Sequence, residues 1–191
     1  GENRIKLVAA DMDGTLLNRE RKITKYTQDV IKKAMAQGVY FVPATGRAVN
    51  ALPPELKEME GIRYGIFSNG ATIYDLKEEK VIYKNHFEMD RVLELMDFLK
   101  QFDLMESISL NGQSYANKKE MQNIDYYELD SNTKAIVQGS RVLVDDLEMF
   151  VKEQSTTVEK TTLLFKTMEE RQRAADALSK IEDIQFSSSL P

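Results

Sequence analysis

The sequence has 191 residues, of which 42% are hydrophobic and 30% are charged, and its formal net charge is −5. This length and composition predict a soluble globular protein with one large or two small domains, and not a disordered chain. The absence of cysteine excludes disulfides and cysteine nucleophiles, and the single histidine, His86, excludes a metal site built from several histidines.

Charge and hydropathy patterns argue against nucleic-acid and membrane partners. The sequence has no long basic stripe, so no nucleic-acid surface is predicted. Its apolar runs are far shorter than the roughly 20 residues that cross a bilayer, and its first residues lack the apolar segment of a signal peptide. Because a chain without cysteine suits a reducing compartment, we predict a cytoplasmic location.

Three short apolar segments, each followed by small or polar residues, dominate the first third of the chain. They predict strands at residues 5–10, 39–42 and 64–67. A helix that is capped by Thr24 and ends at Gly38 links the first two strands, and a second helical stretch links the next two. This βαβαβ pattern predicts an α/β fold whose parallel strands are joined by right-handed crossovers.

From about residue 72 the pattern changes, which predicts a separate α+β module with a boundary near residue 83. Hairpins are predicted at residues 72–83 and around Asn111-Gly112, which is a favoured two-residue turn. Further helices and strands are predicted from hydrophobic periodicity. The helices lie at 88–101, 145–153 and 168–181, and the strands lie at 158–165 and 184–190.

Two carboxylates, Asp11 and Asp13, stand at the end of the first predicted strand and are followed by Gly14. Gly14 lets the backbone turn so that free amides face an anion, and Mg²⁺ binds carboxylates together with a phosphate. Asp11 suits nucleophilic attack on phosphorus and Asp13 suits proton transfer. The competing interpretation is a solvated turn with no catalytic role. The apolar strand before this segment and Thr15-Leu16-Leu17 after it make that interpretation less favoured.

The second and third predicted strands also end in polar segments, Ala44-Thr45-Gly46-Arg47 and Ser68-Asn69-Gly70-Ala71. Ligands of parallel sheets bind at the carboxyl ends of the strands, where all three polar segments fall. The hydroxyl of Thr45 and the amide of Gly46 suit an anion. Two assignments stay open: Arg47 contacts phosphate or substrate, or is a solvated residue of the first helical turn, and Asn69 orients substrate or the Asp11 loop, or only forms the turn.

The segment Asp11-Met12-Asp13-Gly14-Thr15-Leu16-Leu17 resembles the first motif of the haloacid dehalogenase-like hydrolases. The segments that contain Thr45 and Asn69 resemble the Cof-type branch of that family, whose members are mostly phosphatases of sugar phosphates and related compounds. The resemblance implies a partial Rossmann-like core in residues 1–83 and an inserted α/β cap that selects the substrate in residues 84–191. It also implies magnesium-dependent hydrolysis of a small phosphorylated metabolite.

The resemblance further implies a role for each residue of the motifs. Asp11 would be the nucleophile and a magnesium ligand, and Asp13 would be the acid–base residue and a second ligand through its backbone carbonyl. The amides of Met12 and Gly46 and the hydroxyl of Thr45 would bind the transferring phosphoryl group.

Two later motifs of the family, a lysine and a Gly-Asp segment that completes the magnesium site, are not recognised in this sequence, which contains no Gly-Asp dipeptide. We therefore expect a fragment of a longer phosphatase, truncated before the chain returns to the core, with little turnover of its own. Its first strand would be an edge strand with an exposed apolar face, which predicts low stability or self-association.

Three functions stay open on the sequence alone. The favoured one is a phosphatase, and the alternatives are a phosphomutase of the same fold and a non-catalytic module that binds phosphate. Asp13 favours the two enzymes, because a binding module has no need of a second acid beside Asp11. The sequence does not predict which phosphorylated metabolite is the substrate.

Overall fold

The computed structural model describes residues 4–187 and divides the chain into two compact units. The first unit comprises residues 1–88, 108–114 and 155–160, and the second comprises residues 89–107, 115–154 and 161–191. The division into domains at residue 83 stays a prediction, whereas the predicted α/β class is confirmed, since helices alternate with parallel strands.

A five-stranded sheet in the order β1-β2-β3-β4-β5 forms the frame of the first unit. Its strands are β1 (Leu7–Asp11), β2 (Tyr40–Ala44), β3 (Tyr64–Phe67), β4 (Thr72–Asp75) and β5 (Lys80–Lys84). The first three strands run parallel and the last two form an antiparallel hairpin, so both predicted arrangements are confirmed.

Local sequence signals explain where the helices of this unit begin and end. Helix α1 (Lys25–Ala36) begins at Thr24, whose side chain accepts a hydrogen bond from the Thr27 amide at 3.2 Å, and it is followed by Gly38 with a φ of +83°. Helix α2 (Pro54–Lys57) is a short helix that has proline in its first turn. Apolar side chains from the strands and helices form one core, which includes Met12, Ile31, Phe41, Leu56 and Phe67.

One edge of this sheet is β1, as predicted. Ile5, Leu7 and Val8 are 68%, 55% and 38% exposed, respectively. An edge strand offers unpaired backbone groups, and here it also carries exposed apolar side chains. The predicted liability to association therefore has a structural basis, although association itself stays a prediction.

The second unit takes most of its residues from a four-stranded sheet in the order β8-β7-β6-β9 and from five helices. The strands are β6 (Leu104–Leu110), β7 (Gln113–Asn117), β8 (Arg141–Val144) and β9 (Lys160–Phe165). The helices are α3 (Met89–Leu99), α4 (Lys118–Gln122), α5 (Ser131–Ser140), α6 (Leu147–Lys152) and α7 (Met168–Leu178). Two apolar clusters, one around Met105 and one around Leu99, form its interior.

The predictions for this half of the chain are confirmed in part. The turn at Asn111-Gly112 is confirmed, and both residues have the positive φ, +48° and +72°, that a tight hairpin turn requires. The predicted strand at 184–190 is wrong for residues 184–187, which have no regular structure, and its last residues lie outside the described part. Within residues 4–187, no helix has the length and apolar character needed to span a membrane.

Candidate active site

The carboxyl ends of β1, β2 and β3 meet at one edge of the five-stranded sheet. Asp11, the last residue of β1, lies in register with Ala44, the last residue of β2. Directly after Ala44, the amide of Thr45 donates to the carbonyl of Ile66 in β3 at 2.9 Å. The parallel register thus brings together the three polar segments that the sequence placed after separate strands.

The turn after β1 holds its apolar residue inside and its acids outside. Met12 is fully buried in the core of the first unit, whereas Asp11 and Asp13 are exposed. The amide of Leu17 closes the turn by donating to the Met12 carbonyl at 2.9 Å. Gly14 has a φ of +80° with open space around it, so the backbone conformation, and not crowding, favours glycine there.

The carboxylate of Asp11 has one contact within the turn. The hydroxyl of Thr15 donates to its Oδ2 atom at 3.4 Å, which is a long and therefore weak hydrogen bond. An exposed carboxylate with so weak a partner is accessible to a cation or to a phosphorus atom. This is the state that a nucleophile needs before its substrate binds.

The side chain of Asp13 forms a two-point ion pair with Arg47. The Nε of Arg47 donates to Oδ2 at 2.9 Å, and its Nη2 donates to Oδ1 at 2.6 Å. The Nη1 of Arg47 also donates to the carbonyl of Ala51 at 3.3 Å, which holds the guanidinium in place. Arg47 therefore orients the second acid of the motif, a contact that neither open sequence assignment for Arg47 included.

The turn at residues 45–47 is joined to the turn at residues 68–70 by backbone hydrogen bonds. The amide of Asn69 donates to the Thr45 carbonyl at 3.2 Å, and the amide of Ser68 donates to the Arg47 carbonyl at 2.9 Å. A Cβ atom on Gly46 would overlap the Oδ1 atom of Asn69. A side chain at position 46 would therefore displace the Asn69 side chain, which lies directly against the Gly46 backbone.

Thr45 is 5% exposed, and its Oγ1 accepts a hydrogen bond from the Arg47 amide at 3.1 Å. This bond uses the oxygen as an acceptor, so the hydroxyl hydrogen points elsewhere and can be donated to a ligand. The structure places all seven predicted site residues in the three turns at this edge. Those residues are Asp11, Met12, Asp13, Thr45, Gly46, Arg47 and Asn69.

The oxygen donors of Asp11 and Asp13 fit a hard cation such as Mg²⁺, which binds one or two carboxylates and completes its shell with waters and substrate phosphate. Among residues 4–187, no group of three or more histidine, cysteine, aspartate or glutamate side chains is arranged to hold a metal. Both side-chain oxygens of Asp13 pair with Arg47, so of these two carboxylates it is Asp11 that would face such a cation.

Two residues near these turns were missed by the sequence reasoning. The Nζ of Lys160 donates to the carbonyl of Gly46, and the carboxylate of Glu159 accepts from the Ser68 hydroxyl at 2.8 Å. More than ninety residues separate each pair along the chain. No local pattern could have predicted such contacts.

Fold and site together define an α/β protein with an aspartate motif at the carboxyl end of the first parallel strand. Residues 8–190 match the family model of the haloacid dehalogenase-like hydrolases. The chain therefore belongs to this family, and the family predicted from the sequence is confirmed.

Similar proteins come from several bacteria. A protein of Buchnera aphidicola subsp. Schizaphis graminum is 38% identical over 121 residues, which cover 62% of this chain and 43% of that protein. The 5-amino-6-(5-phospho-D-ribitylamino)uracil phosphatase YcsE of Bacillus subtilis is 37% identical over 89 residues, which cover 44% of this chain and 36% of that enzyme. The chain thus spans less than half the length of these curated relatives.

Among solved structures, a haloacid dehalogenase-like hydrolase from B. subtilis superposes with a TM-score of 0.77. The match covers 95% of this chain and 69% of that one, at 20% sequence identity. At this identity the likeness shows a shared fold, and it agrees with the predicted α/β class.

Proposed function

We propose that this chain carries the nucleophile and the acid–base residue of a magnesium-dependent phosphatase that hydrolyses small phosphate monoesters. The observation that carries the proposal is the meeting of the Asp11, Thr45 and Asn69 turns at the carboxyl ends of three parallel strands. Since the chain spans less than half of its curated relatives, the activity of the whole protein is part of the proposal.

In the first chemical step, a carboxylate oxygen of Asp11 attacks phosphorus and the bond from phosphorus to the alcohol oxygen breaks. The departing oxygen takes a proton from Asp13. In the second step, water attacks the aspartyl-phosphate, Asp13 takes a proton from that water, and the bond between Asp11 and phosphorus breaks. Inorganic phosphate leaves, and both carboxylates return to their starting state.

The turns at residues 45–47 and 68–70 would hold the phosphoryl oxygens. Thr45 would donate its hydroxyl hydrogen, because its oxygen already accepts from the Arg47 amide. The amides of Gly46 and Met12 would donate as well, and Asn69 would orient the bound group. Such preorganised donors stabilise the charge that develops on the oxygens of the transferring group.

Arg47 would keep Asp13 in the orientation from which it exchanges protons with the leaving group and with water. The Asp11 carboxylate and the backbone carbonyl of Asp13 would hold Mg²⁺, which would offset the repulsion between an anionic nucleophile and an anionic substrate. The Arg47 pair uses one lone pair on each oxygen of the Asp13 side chain, so the remaining lone pairs are the ones that would exchange a proton.

The second unit would act as the cap that selects the substrate. The YcsE relative is a phosphatase of a phosphorylated ribitylaminouracil, which supports a small phosphorylated metabolite as the substrate class here. It does not point to that compound, since the match covers 44% of this chain.

The test is an assay of phosphate release from p-nitrophenyl phosphate and a panel of phosphorylated metabolites, made with the full-length protein. We expect release that depends on Mg²⁺ and falls at least about a thousandfold in Asp11→Asn, because the nucleophile is lost. A melting curve shows whether that variant is folded. Phosphate binding without release would favour a binding module, and a requirement for a bisphosphate would favour a mutase.

A further inference from the structure

A buried carboxylate lies beside the polar turns of the first unit. Glu159, the residue before β9, is 5% exposed and belongs to this unit. Its Oε2 accepts from the Ser68 hydroxyl at 2.8 Å, and its Oε1 accepts from the Gly112 amide at 2.7 Å. The amide of Glu159 donates to the Ser109 carbonyl at 2.8 Å, which fixes its backbone. A buried carboxylate is costly unless it is hydrogen-bonded, so these bonds determine where the side chain lies.

The turn that Glu159 contacts has a demanding backbone conformation. Ser68, Asn69 and Gly70 have φ values of +51°, +58° and +92°, so three consecutive residues are left-handed. Glycine and asparagine adopt this region readily, whereas serine does so at a cost. The surrounding structure must therefore hold Ser68 in place. The bond from its hydroxyl to Glu159 is one such restraint.

The conformation of the 68–70 turn determines where the Asn69 side chain lies. The Asn69 side chain lies directly against Gly46, and its amide donates to the Thr45 carbonyl at 3.2 Å. On the Gly46 side, Lys160 donates to the Gly46 carbonyl. The adjacent residues Glu159 and Lys160 thus contact both turns, one through a carboxylate and the other through an ammonium group.

We propose that Glu159 is a positioning residue for phosphate binding. Its bond to Ser68 keeps the 68–70 turn left-handed and thereby keeps Asn69 against Gly46, where the phosphoryl group would bind. Glu159 itself acts through Ser68 and does not contact the substrate. The inference rests on the proposed function, because it concerns the same phosphoryl site.

The first part of the test measures amide hydrogen exchange by NMR on the 191-residue chain. In Glu159→Ala we expect the amides of Ser68 and Asn69 to exchange about tenfold faster, because the hydrogen bond that restrains the Ser68 side chain is lost. Amides of the β1–β2 ladder should keep their wild-type rates. In Glu159→Gln the side chain can still accept from Gly112 and donate to the Ser68 oxygen, so we expect rates within about threefold of wild type.

The second part titrates inorganic phosphate and follows the amide shifts of Gly46 and Asn69. We expect Glu159→Ala to weaken phosphate binding about tenfold and Glu159→Gln to restore most of the affinity. Glu60→Ala, which changes an exposed glutamate of the same unit, is the matched control and should leave both measurements unchanged. If Glu159→Ala does not fold, Ser68→Ala removes one of the two bonds and gives the same comparison.

Each outcome decides a separate point. Wild-type exchange rates at Ser68 and Asn69 in Glu159→Ala would overturn the positioning role. Faster exchange with unchanged phosphate affinity would overturn the link to the phosphoryl site. If phosphate does not shift the amide resonances of Gly46 and Asn69 in the wild-type chain, the proposed phosphoryl site at these residues is wrong. The exchange rates would still decide whether Glu159 holds the 68–70 turn.

Discussion

The motif carboxylates of the first unit and one carboxylate of the second unit are placed in opposite ways. In the first unit, Asp11 and Asp13 are exposed at a strand end and have hydroxyl or guanidinium partners. In the second unit, Glu106 on β6 is 9% exposed, and its Oε1 has no hydrogen-bond partner among the described residues. Burial, reinforced by the charges of Glu120 and Glu148, raises the pKa of Glu106 to about 7.

The contrast separates carboxylates that we propose take part in catalysis from one that we expect to affect stability. The exposed acids are in contact with water and can meet a cation or a substrate. The buried acid of the second unit has lost its hydration without gaining a full set of partners, which makes its ionised form unfavourable in the folded state. Substitutions of the two kinds should therefore have opposite effects on activity and on stability.

The sharpest test of this contrast at the exposed pair is Asp13→Asn. We expect kcat to fall at least about 100-fold, since the amide cannot transfer the proton. The free energy of unfolding should change by less than about 0.5 kcal/mol, because the side chain is 47% exposed. Steady-state kinetics of the full-length protein and its melting curve measure the two effects. Wild-type kcat in this variant would remove Asp13 from the mechanism.

Glu106→Gln tests the same contrast at the buried carboxylate of the second unit. The folded-state pKa of about 7 is above the ordinary value of 4.5, so the protonated form stabilises the fold. That contribution is complete below about pH 4.5 and is lost as the pH rises through 7. The wild type should therefore lose up to about 3 kcal/mol of stability between acid and alkaline pH.

Glu106→Gln should remove most of this pH dependence, because the amide does not ionise. Urea unfolding of the 191-residue chain at pH 5 and pH 8 measures it, and Glu94→Gln, at an exposed glutamate of the same unit, is the control. Equal loss of stability in the wild type and in Glu106→Gln would show that Glu106 does not cause the pH dependence.

The same contrast explains how much the sequence could predict. Asp11, Asp13 and Thr45 were predicted because the two acids stand at the end of the first strand and Thr45 at the end of the second, and parallel strands bring such ends together. Glu159 was not predicted, because its contact with Ser68 spans 91 residues and leaves no periodic signal. Long-range polar contacts of this kind become visible only in the folded structure.

Two further elements show the limits of periodicity. Ile184 was assigned to a strand from its apolar neighbours, but it packs against the apolar cluster of α3 and α7 without pairing. Val158 was placed inside a strand, whereas the strand begins at Lys160 and Val158 forms an isolated bridge with Phe87. An apolar pattern predicts burial, and burial alone does not determine strand pairing.

A smaller effect is expected at the partner of Asp13. Arg47→Ala should lower kcat about tenfold with little change in KM, because the two-point pair that orients Asp13 is lost. Arg47→Lys should restore only part of the rate, since lysine cannot donate in a fork. A rise in KM alone would instead show that Arg47 binds substrate, which is one of the two assignments left open by the sequence.

The smallest effect concerns the exposed edge of the first unit. We expect the 191-residue chain to associate through β1. In Leu7→Lys, the molar mass measured by light scattering should fall toward that of a monomer. Ile82→Lys places the same charge on β5, where Ile82 is 49% exposed, and serves as the matched control. A monomeric wild type, or equal effects of both variants, would contradict association through β1.

The central claim is that Asp11 carries the phosphoryl group during turnover. The most direct test is to quench the full-length protein during hydrolysis of p-nitrophenyl phosphate, reduce the acyl phosphate with borohydride, and locate the reduced residue by mass spectrometry. We expect reduction at Asp11 and none in Asp11→Asn. Reduction at another residue, or turnover with no trapped acyl phosphate at Asp11, would show that Asp11 is not the nucleophile.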